Sequence, residues 1–191
     1  ASGEALVRQF MVGKRFFRDE FGVDNKIMWL PDVFGYSATI PQLIKKCGMK
    51  YFMTTKISWN EYNKFPYDTF KWRGIDGTEV LSHFPPSCHA TVNERENWQT
   101  TYNSKLRPLY VIGGYKRYSQ KDLGKDFLMS YGFGDGGGGP TVEMLEYGKR
   151  MSRGIQGCPV VKQSSSLDFF EHLDKQVSGN KRLPTWCGEL Y

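Results

Sequence analysis

The sequence has few of the features that define zinc-binding scaffolds, membrane proteins or disulfide-bonded secreted domains. Its four cysteines are widely spaced and form no CxxC pair: Cys47, Cys88, Cys158 and Cys187. This spacing argues against a structural zinc site and against a disulfide framework, and free thiols fit a reducing compartment. No apolar run approaches the roughly 20 residues of a membrane span, and no apolar signal segment opens the sequence. We therefore expect a cytoplasmic protein without a membrane partner.

Positive charge is present, but it is not concentrated. The formal net charge is +6, and its basic residues are scattered through stretches such as GKRFFRDEFG, KCGMK and GKRMSRG. Nucleic-acid-binding domains gather such residues on one face, whereas these fall at helix ends and on exposed helix faces. We therefore expect no nucleic-acid partner.

Histidine is equally sparse. The sequence has three histidines, His83, His89 and His172, and their spacing does not make a metal site. His83 ends a predicted strand, where a histidine more often packs than binds a ligand.

The composition of the 191 residues fits one ordinary domain or a part of a larger one. The hydrophobic fraction of 39% is enough for a core, and many of the aromatic residues, 15% of the chain, lie in loop-like stretches beside polar residues. Sugar-binding surfaces have this character, and so do many bulky cores. The first residues form an amphipathic helix and the last resemble a strand, so we expect a piece of a longer chain.

The first half of the sequence predicts alternating helices and strands. Apolar spacing indicates a helix over residues 3 to 21, a strand over 27 to 30, a helix capped by Ser37, and a strand over 51 to 56. Short connections between such elements are the signature of a parallel sheet.

The second half predicts a hairpin, an excursion and further alternation. Asp76-Gly77 is a strong hairpin turn within residues 70 to 84, and a helix is expected near 104 to 118. Strands are then expected at 126 to 133, in PVVKQ and in the final TWCGELY, with helices in VEMLEYGKRMSR and after Ser165. The fold class is thus α/β, either a barrel or a doubly wound sheet.

Two aspartates occupy equivalent places in this pattern. Asp32 follows an apolar strand in IMWLPDVFGYS, and Asp135 follows the expected strand 126 to 133 in GFGDGGGGPT. Because ligands bind at the carboxyl ends of parallel strands, both side chains should lie on one rim. Two carboxyl groups facing one pocket is the arrangement of glycoside hydrolysis, although either aspartate alone could simply form a turn or cap a helix.

The run Gly136–Gly139 allows close backbone approach to a ligand. A phosphate or nucleotide site is the rival interpretation, because a helix N-terminus follows the run. The sequence departs from both the P-loop and the dinucleotide-binding patterns, however. A non-catalytic carbohydrate-binding module, supported by the aromatic loops, is the other alternative.

Five blocks carry a family resemblance: WLPDVFGYS, YFMTTKISWN, FKWRGIDGTEVLSHF, GFGDGGGGPT and LPTWCGELY. In this order they resemble the α-mannosidases of glycoside hydrolase family 38, and the cytosolic or vacuolar type most closely. The resemblance implies that residues 1 to 191 are the middle of an N-terminal catalytic domain, which is a seven-stranded α/β barrel. It also implies a cytoplasmic or vacuolar location and leaves a homo-oligomer open for the full-length protein.

The resemblance implies a role for specific residues. Asp32 matches the catalytic nucleophile, which is also a zinc ligand, and Asp135 matches the general acid/base. Phe34 and Tyr36 would form the pocket wall, and Trp59 and Asn60 would contact the sugar. The implied reaction is retaining hydrolysis of terminal α-mannosides in mannose-containing oligosaccharides.

One departure from the family pattern concerns the metal. The family's other zinc ligands, an upstream His-x-Asp motif and a downstream histidine, are not in this sequence. A single carboxylate cannot hold zinc well, because catalytic zinc sites use about three protein ligands. We therefore expect the 191 residues alone to be inactive. Residues 85 to 120 show no motif with an assigned role.

Overall fold

The computed structural model describes residues 2–87, 100–135 and 137–191. Its helices are α1 (Gly3–Phe21), α2 (Ile40–Lys46), α3 (Pro108–Arg117), α4 (Val142–Met151) and α5 (Ser166–Val177). Its strands are β1 (Ile27–Trp29), β2 (Tyr51–Met53), β3 (Thr69–Arg73), β4 (Glu79–His83) and β5 (Thr185–Cys187), and a 3-10 turn spans Lys56–Trp59. The fold is therefore mixed α/β, as the sequence predicts. His89, Cys88 and Gly136 lie outside the described residues.

The strands form one five-stranded sheet in the order β1-β2-β4-β3-β5. β1, β2 and β4 are parallel, β3 is antiparallel to β4, and β5 is parallel to β3. The carboxyl ends of β1, β2 and β4 consequently share one edge of the sheet. The segments that leave β1 and β2 at this edge include Asp32 and the 3-10 turn.

The two faces of the sheet are covered by different helices. Met28 and Phe52 pack with Ile44 of α2 and with the inner side of α1. Tyr51 and Met53 point the other way and pack with Phe170 of α5. This alternation follows from the two-residue period of a strand. The sheet is thus held between helices, which fixes the ends of β1 and β2.

The predicted hairpin is confirmed. β3 and β4 pair from Thr69↔His83 to Arg73↔Glu79, and the Asp76 carboxylate accepts a hydrogen bond from the backbone N–H of Thr78 at 2.9 Å. Gly77 has a φ of 84°, a left-handed conformation that glycine adopts without steric cost. Asp76 and Gly77 thus form the turn that their residue types predict.

The helices largely match their predictions. α1 ends where expected, because Gly22 adopts a φ of 67° and its N–H bonds to the carbonyl of Arg18. The Ser165 hydroxyl accepts from the Asp168 N–H at 3.1 Å and caps α5. The helix expected from Ser37 begins only at Ile40, and Ser37 instead accepts from the Thr39 N–H at 3.3 Å. Within the described residues, no helix is both long and apolar enough to cross a membrane.

Two strand predictions are wrong. Residues 126 to 133 form only an isolated bridge, Ser104↔Tyr131, and residues 159 to 163 form no strand. The Leu128 N–H donates to the buried ring of His83 at 3.1 Å rather than to a neighbouring strand. The His83 side chain thereby accepts the hydrogen bond that a backbone carbonyl of a neighbouring strand would accept. The described residues form a five-stranded sheet, whereas seven strands are expected of the complete barrel domain.

Candidate active site

Asp32 lies in the segment that leaves β1, and the end of β2 holds this segment in place. The Leu30 N–H donates to the Met53 carbonyl at 3.1 Å, and the Thr55 hydroxyl donates to the Pro31 carbonyl at 2.5 Å. Proline cannot extend the ladder, so the chain turns away directly after the strand. The backbone on the N-terminal side of Asp32 is therefore tied to a neighbouring strand.

Lys56, at the start of the 3-10 turn after β2, pairs with Asp32. Its Nζ lies 3.1 Å from Oδ1 of Asp32, and the lysine is only 8% exposed, whereas the Asp32 side chain is 52% exposed. Among the described residues, Oδ2 of Asp32 has no hydrogen-bonding partner. One carboxylate oxygen is thus fixed by an ammonium group, and the other has no partner among the described residues.

Three aromatic rings surround this ammonium group. The Nζ of Lys56 lies 5.3 Å from the ring centre of Phe34, 4.5 Å from that of Trp59 and 4.8 Å from that of Tyr102. Rings at such distances attract a cation through their negative faces. We refer to Phe34, Trp59 and Tyr102 as the aromatic cluster. It explains how a lysine can be buried beside a solvent-exposed carboxylate.

Asp135 lies in a loop that is closed by backbone hydrogen bonds. The Gly138 N–H donates to the Phe133 carbonyl at 2.8 Å, and the Phe133 N–H donates to the Gly139 carbonyl at 3.3 Å. Asp135 has a φ of 55°, a left-handed conformation that is uncommon outside glycine and that aspartate tolerates better than most residues. Asp135 thus lies in a closed glycine-rich loop, and the strand expected before it does not form.

Two side chains from another part of the chain bind Asp135. The Tyr102 hydroxyl donates to Oδ1 of Asp135 at 2.6 Å, and Nδ2 of Asn103 donates to Oδ2 at 3.3 Å. Both donors belong to a turn that Ser104 anchors, because its N–H bonds to the Ser130 carbonyl at 3.1 Å. The turn is therefore docked beside the segment that leads into the loop of Asp135.

These contacts place both aspartates at one site. Tyr102 binds Asp135 through its hydroxyl, and its ring covers Lys56, which is paired with Asp32. The pKa of Tyr102 is raised to about 12, first by its hydrogen bond to Asp135, then by burial and by the negative charge of Asp32. Both carboxylates therefore act on the same phenol group.

The other predicted site residues differ in how exposed their side chains are and in whether their polar groups are already hydrogen-bonded. Phe34 and Trp59 are 51% and 44% exposed, and their rings meet edge to face at 5.7 Å. Asn60 is engaged in a turn, because its Oδ1 accepts from the N–H groups of Tyr62 and Asn63 at 3.0 and 2.9 Å. Its Nδ2 donates to the Tyr191 carbonyl at 3.1 Å.

Tyr36 lies beneath the site rather than on its surface. It is 7% exposed and packs against Phe52, with a ring-centre distance of 4.9 Å. Its hydroxyl donates to the Leu30 carbonyl at 2.7 Å. Burial, with a smaller contribution from Asp32, raises the pKa of Tyr36 to about 12. Tyr36 thus supports the segment that carries Asp32.

Sequence reasoning missed Lys56, Tyr102 and Asn103. A signal for Lys56 existed, because it follows β2 as Asp32 follows β1, at the same edge of the sheet. Tyr102 and Asn103 gave no local signal. Their proximity to Asp135 depends on the bridge between Ser104 and Tyr131, which no spacing in the sequence predicts.

His83 is a buried structural residue. It is 0% exposed, lies 2.9 Å from the Thr69 hydroxyl through Nδ1, and accepts the Leu128 N–H through Nε2. Nε2 therefore carries no proton, and burial lowers the pKa of His83 to about 3. The ring is neutral, and its hydrogen bonds go to Thr69 and Leu128 rather than to the two aspartates.

The described residues do not complete a metal site. No group of three histidine, cysteine or carboxylate side chains among them could hold a metal ion. The unpaired oxygen of Asp32 fits the role of a single carboxylate ligand, and a catalytic zinc ion needs about two more protein ligands. A cavity of about 430 Å³ lies elsewhere, between residues 125 to 131 and the start of α5, and none of the predicted site residues lines it.

Comparison with known proteins assigns the family. The model of the glycosyl hydrolases family 38 N-terminal domain matches residues 1–189. The chain belongs to glycosyl hydrolase family 38. It is 41% identical to "Alpha-mannosidase" of Saccharomyces cerevisiae and 43% identical to "Alpha-mannosidase 2C1" of Homo sapiens, in each case over 100% of its own length. It spans 17% of each of these relatives.

A solved structure has the same fold as this chain. The crystal structure of an alpha-mannosidase from Enterococcus faecalis superimposes with a TM-score of 0.69 at 15% sequence identity. The match covers 99% of this family 38 chain and 20% of the other chain. The chain therefore has the fold of one part of that protein.

Proposed function

We propose that this family 38 chain forms the middle of the catalytic domain of a retaining α-mannosidase, with Asp32 as nucleophile and Asp135 as general acid/base. The observation that supports the proposal is that Asp32 pairs with Lys56, Asp135 accepts from the Tyr102 hydroxyl, and the Tyr102 ring lies over Lys56. Two relatives that align with the whole length of the chain are named alpha-mannosidases. The substrate class is terminal α-mannosides of mannose-containing oligosaccharides.

In the first step, the unpaired oxygen of Asp32 attacks the anomeric carbon and forms an ester to it. The bond from that carbon to the leaving oxygen breaks, and protonated Asp135 gives its proton to that oxygen. In the second step, ionised Asp135 takes a proton from water while the water oxygen attacks the anomeric carbon. The ester bond breaks and Asp32 is regenerated. Two inversions at one carbon give retention, which requires carboxyl groups about 5 to 5.5 Å apart.

The neighbours of the carboxylates suit these roles. The Lys56 ammonium fixes one oxygen of Asp32 and leaves the other for attack. The half-exposed rings of Phe34 and Trp59 supply an apolar surface of the kind on which sugar rings pack. Tyr36 and Asn60 are assigned supporting roles, because their polar groups already bond within the protein.

Several further features belong to the same proposal. The described sheet would be part of a seven-stranded α/β barrel completed by residues outside 1 to 191. Zn²⁺ would bind Asp32 together with ligands from those residues, where it would neutralise charge and orient mannose hydroxyls. We also propose a cytoplasmic location, with the vacuole as the alternative, and assembly of the full-length protein into a homo-oligomer.

The test uses the full-length protein and a nitrophenyl α-mannoside. Asp32→Ala should abolish turnover, and a fluorinated mannosyl fluoride should label Asp32 in the wild type, as read by peptide mass spectrometry. Metal analysis of the two proteins reports on the zinc assignment separately. Equal turnover by wild type and Asp32→Ala would refute the nucleophile role.

One alternative is favoured by a specific observation. The exposed rings of Phe34 and Trp59 would also serve a carbohydrate-binding module without catalytic activity. Such a module would bind mannosides and show no turnover in the wild type. The same assay, combined with a binding titration, therefore separates the two functions.

A further inference from the structure

Tyr102 contacts both halves of the candidate site. Its hydroxyl lies 2.6 Å from Oδ1 of Asp135, and its ring centre lies 4.8 Å from the ammonium group that pairs with Asp32. We propose that Tyr102 is the positioning residue for Asp135, and that its ring couples Asp135 to the Lys56–Asp32 pair. This inference rests on the proposed roles of the two aspartates.

Asp135 needs such support because of where it lies. It is exposed, it has a φ of 55°, and its loop is held by two backbone hydrogen bonds at its ends. Among the described residues of that loop, none donates a hydrogen bond to the carboxylate of Asp135. Tyr102 and Asn103 each take one carboxylate oxygen, at 2.6 and 3.3 Å, and so define both its position and its plane. A carboxylate displaced by about 1 Å can lose about 100-fold in rate.

The turn that carries Tyr102 is itself rigidly placed. The Thr101 N–H donates to the Ser104 hydroxyl at 2.7 Å, and that hydroxyl donates to the Thr101 carbonyl at 3.0 Å. Ser104 then pairs with the segment before the loop, since the Gly132 N–H donates to its carbonyl at 3.0 Å. The turn and the loop of Asp135 are thus parts of one hydrogen-bonded unit.

Tyr102 acts as a hydrogen-bond donor and does not exchange its own proton. The bond to Asp135, burial and the charge of Asp32 together raise the pKa of Tyr102 to about 12. The hydroxyl is consequently protonated at neutral pH. It can orient Asp135 throughout the reaction without replacing it as acid or base.

The positioning role predicts a dependence on the leaving group. A dinitrophenolate leaves without protonation, whereas the hydroxyl of a second mannose needs a proton from the general acid. Tyr102→Phe keeps the ring over Lys56 and removes the hydroxyl. We expect it to lower kcat/KM for α-linked mannobiose about 10-fold to 100-fold and for dinitrophenyl α-mannoside less than about 3-fold.

A second variant tests the coupling through the ring. Tyr102→Leu removes both the hydroxyl and the aromatic face, so it should lower kcat/KM for both substrates. Tyr115→Phe is the matched control, because the Tyr115 ring also lies near a lysine, 5.4 Å from Nζ of Lys121, and Tyr115 has no hydrogen bond to either aspartate. It should match the wild type on both substrates. All comparisons use the full-length enzyme, with thermal unfolding as a check on folding.

The outcomes separate this inference from the proposed function. If Tyr102→Phe matches the wild type, or loses activity equally on both substrates, the positioning role is overturned. Asp135→Ala on the same two substrates tests the acid/base role independently. If Asp135→Ala also shows no preference for the dinitrophenyl substrate, the acid/base assignment itself fails.

Discussion

The Nζ of Lys56 lies 3.1 Å from Oδ1 of Asp32, and the two residues follow adjacent parallel strands. The pair is asymmetric, since the lysine is buried among three rings while the carboxylate is half-exposed. The Lys56 ammonium group is thus buried at the sheet edge, and the Asp32 carboxylate is accessible to a ligand. This geometry fixes one oxygen of Asp32 in the absence of a ligand.

Replacement of Lys56 should therefore impair turnover. Lys56→Met keeps much of the apolar stem and removes the charge, so one oxygen of Asp32 loses its partner. We expect kcat/KM of the full-length enzyme for nitrophenyl α-mannoside to fall on the order of 100-fold, the cost of a misplaced reacting group. Lys56→Arg, which keeps the charge, should lose less.

Lys121→Met provides the control for this substitution. Lys121 also lies near an aromatic ring and is bonded to backbone carbonyls, at 2.9 Å for Lys116 and 2.6 Å for Tyr118. It contacts neither aspartate. Equal losses in the Lys56 and Lys121 variants would show that the effect comes from general destabilisation.

The glycine-rich loop allows a comparison between two neighbouring positions. A Cβ at Gly138 would lie 2.6 Å from the Cβ of Phe133, so Gly138→Ala must shift the loop that carries Asp135. A Cβ at Gly139 would meet nothing within 4 Å. We expect Gly138→Ala to lower kcat/KM for mannobiose about 10-fold or more and Gly139→Ala to leave it near the wild-type value. Similar kinetics for the two variants would contradict the loop's role in placing Asp135.

The sequence predicts those parts of the fold that local chemistry determines. Asp76-Gly77 turns the hairpin and Gly22 ends α1, because these residues adopt their conformations at little cost. The strand expected at residues 126 to 133 has the right apolar content but lacks ladder partners. Its Leu128 N–H bonds to the His83 ring, a contact between residues far apart in the chain. A hydrogen bond from the backbone to a distant side chain leaves no periodic pattern in the sequence.

The same distinction holds for the site. Asp32 could be predicted because it directly follows β1, and its partner Lys56 occupies the corresponding place after β2. The prediction that Asp135 lies on the same rim depends on a strand that does not form. Its contact with Tyr102 depends instead on the β-bridge between Ser104 and Tyr131. Tyr102 itself lies in a stretch without a motif, so only the folded chain reveals it.

His83 should make stability depend on pH. Burial lowers the pKa of His83 to about 3, whereas an exposed histidine titrates near 6.5. Between these values the unfolded chain binds a proton that the folded chain does not, so stability is full above pH 6.5 and falls as pH decreases toward 3. His83→Gln can still accept from Leu128 but does not titrate. The difference in Tm between wild type and His83→Gln should therefore shrink from pH 7 to pH 5.

His172→Gln is the matched control for this measurement. The His172 side chain is 61% exposed, so its replacement removes no buried neutral ring. Because this variant keeps His83, its Tm should still fall from pH 7 to pH 5. A constant difference between wild type and His83→Gln would show that the neutral His83 ring does not govern the acid sensitivity.

The isolated 191 residues should bind zinc weakly and hydrolyse no mannoside. Among the described residues Asp32 has no companion ligands, and a catalytic zinc ion needs about three. Both proposed catalytic carboxylates are nevertheless present, so inactivity would identify the missing parts as metal ligands and substrate contacts rather than as acid or nucleophile. The measurements are turnover of nitrophenyl α-mannoside and zinc content, with circular dichroism to establish that the chain is folded. Turnover by the isolated chain that Asp32→Ala abolishes would mean that the two carboxylates suffice, and that zinc ligands from elsewhere are dispensable for the chemistry.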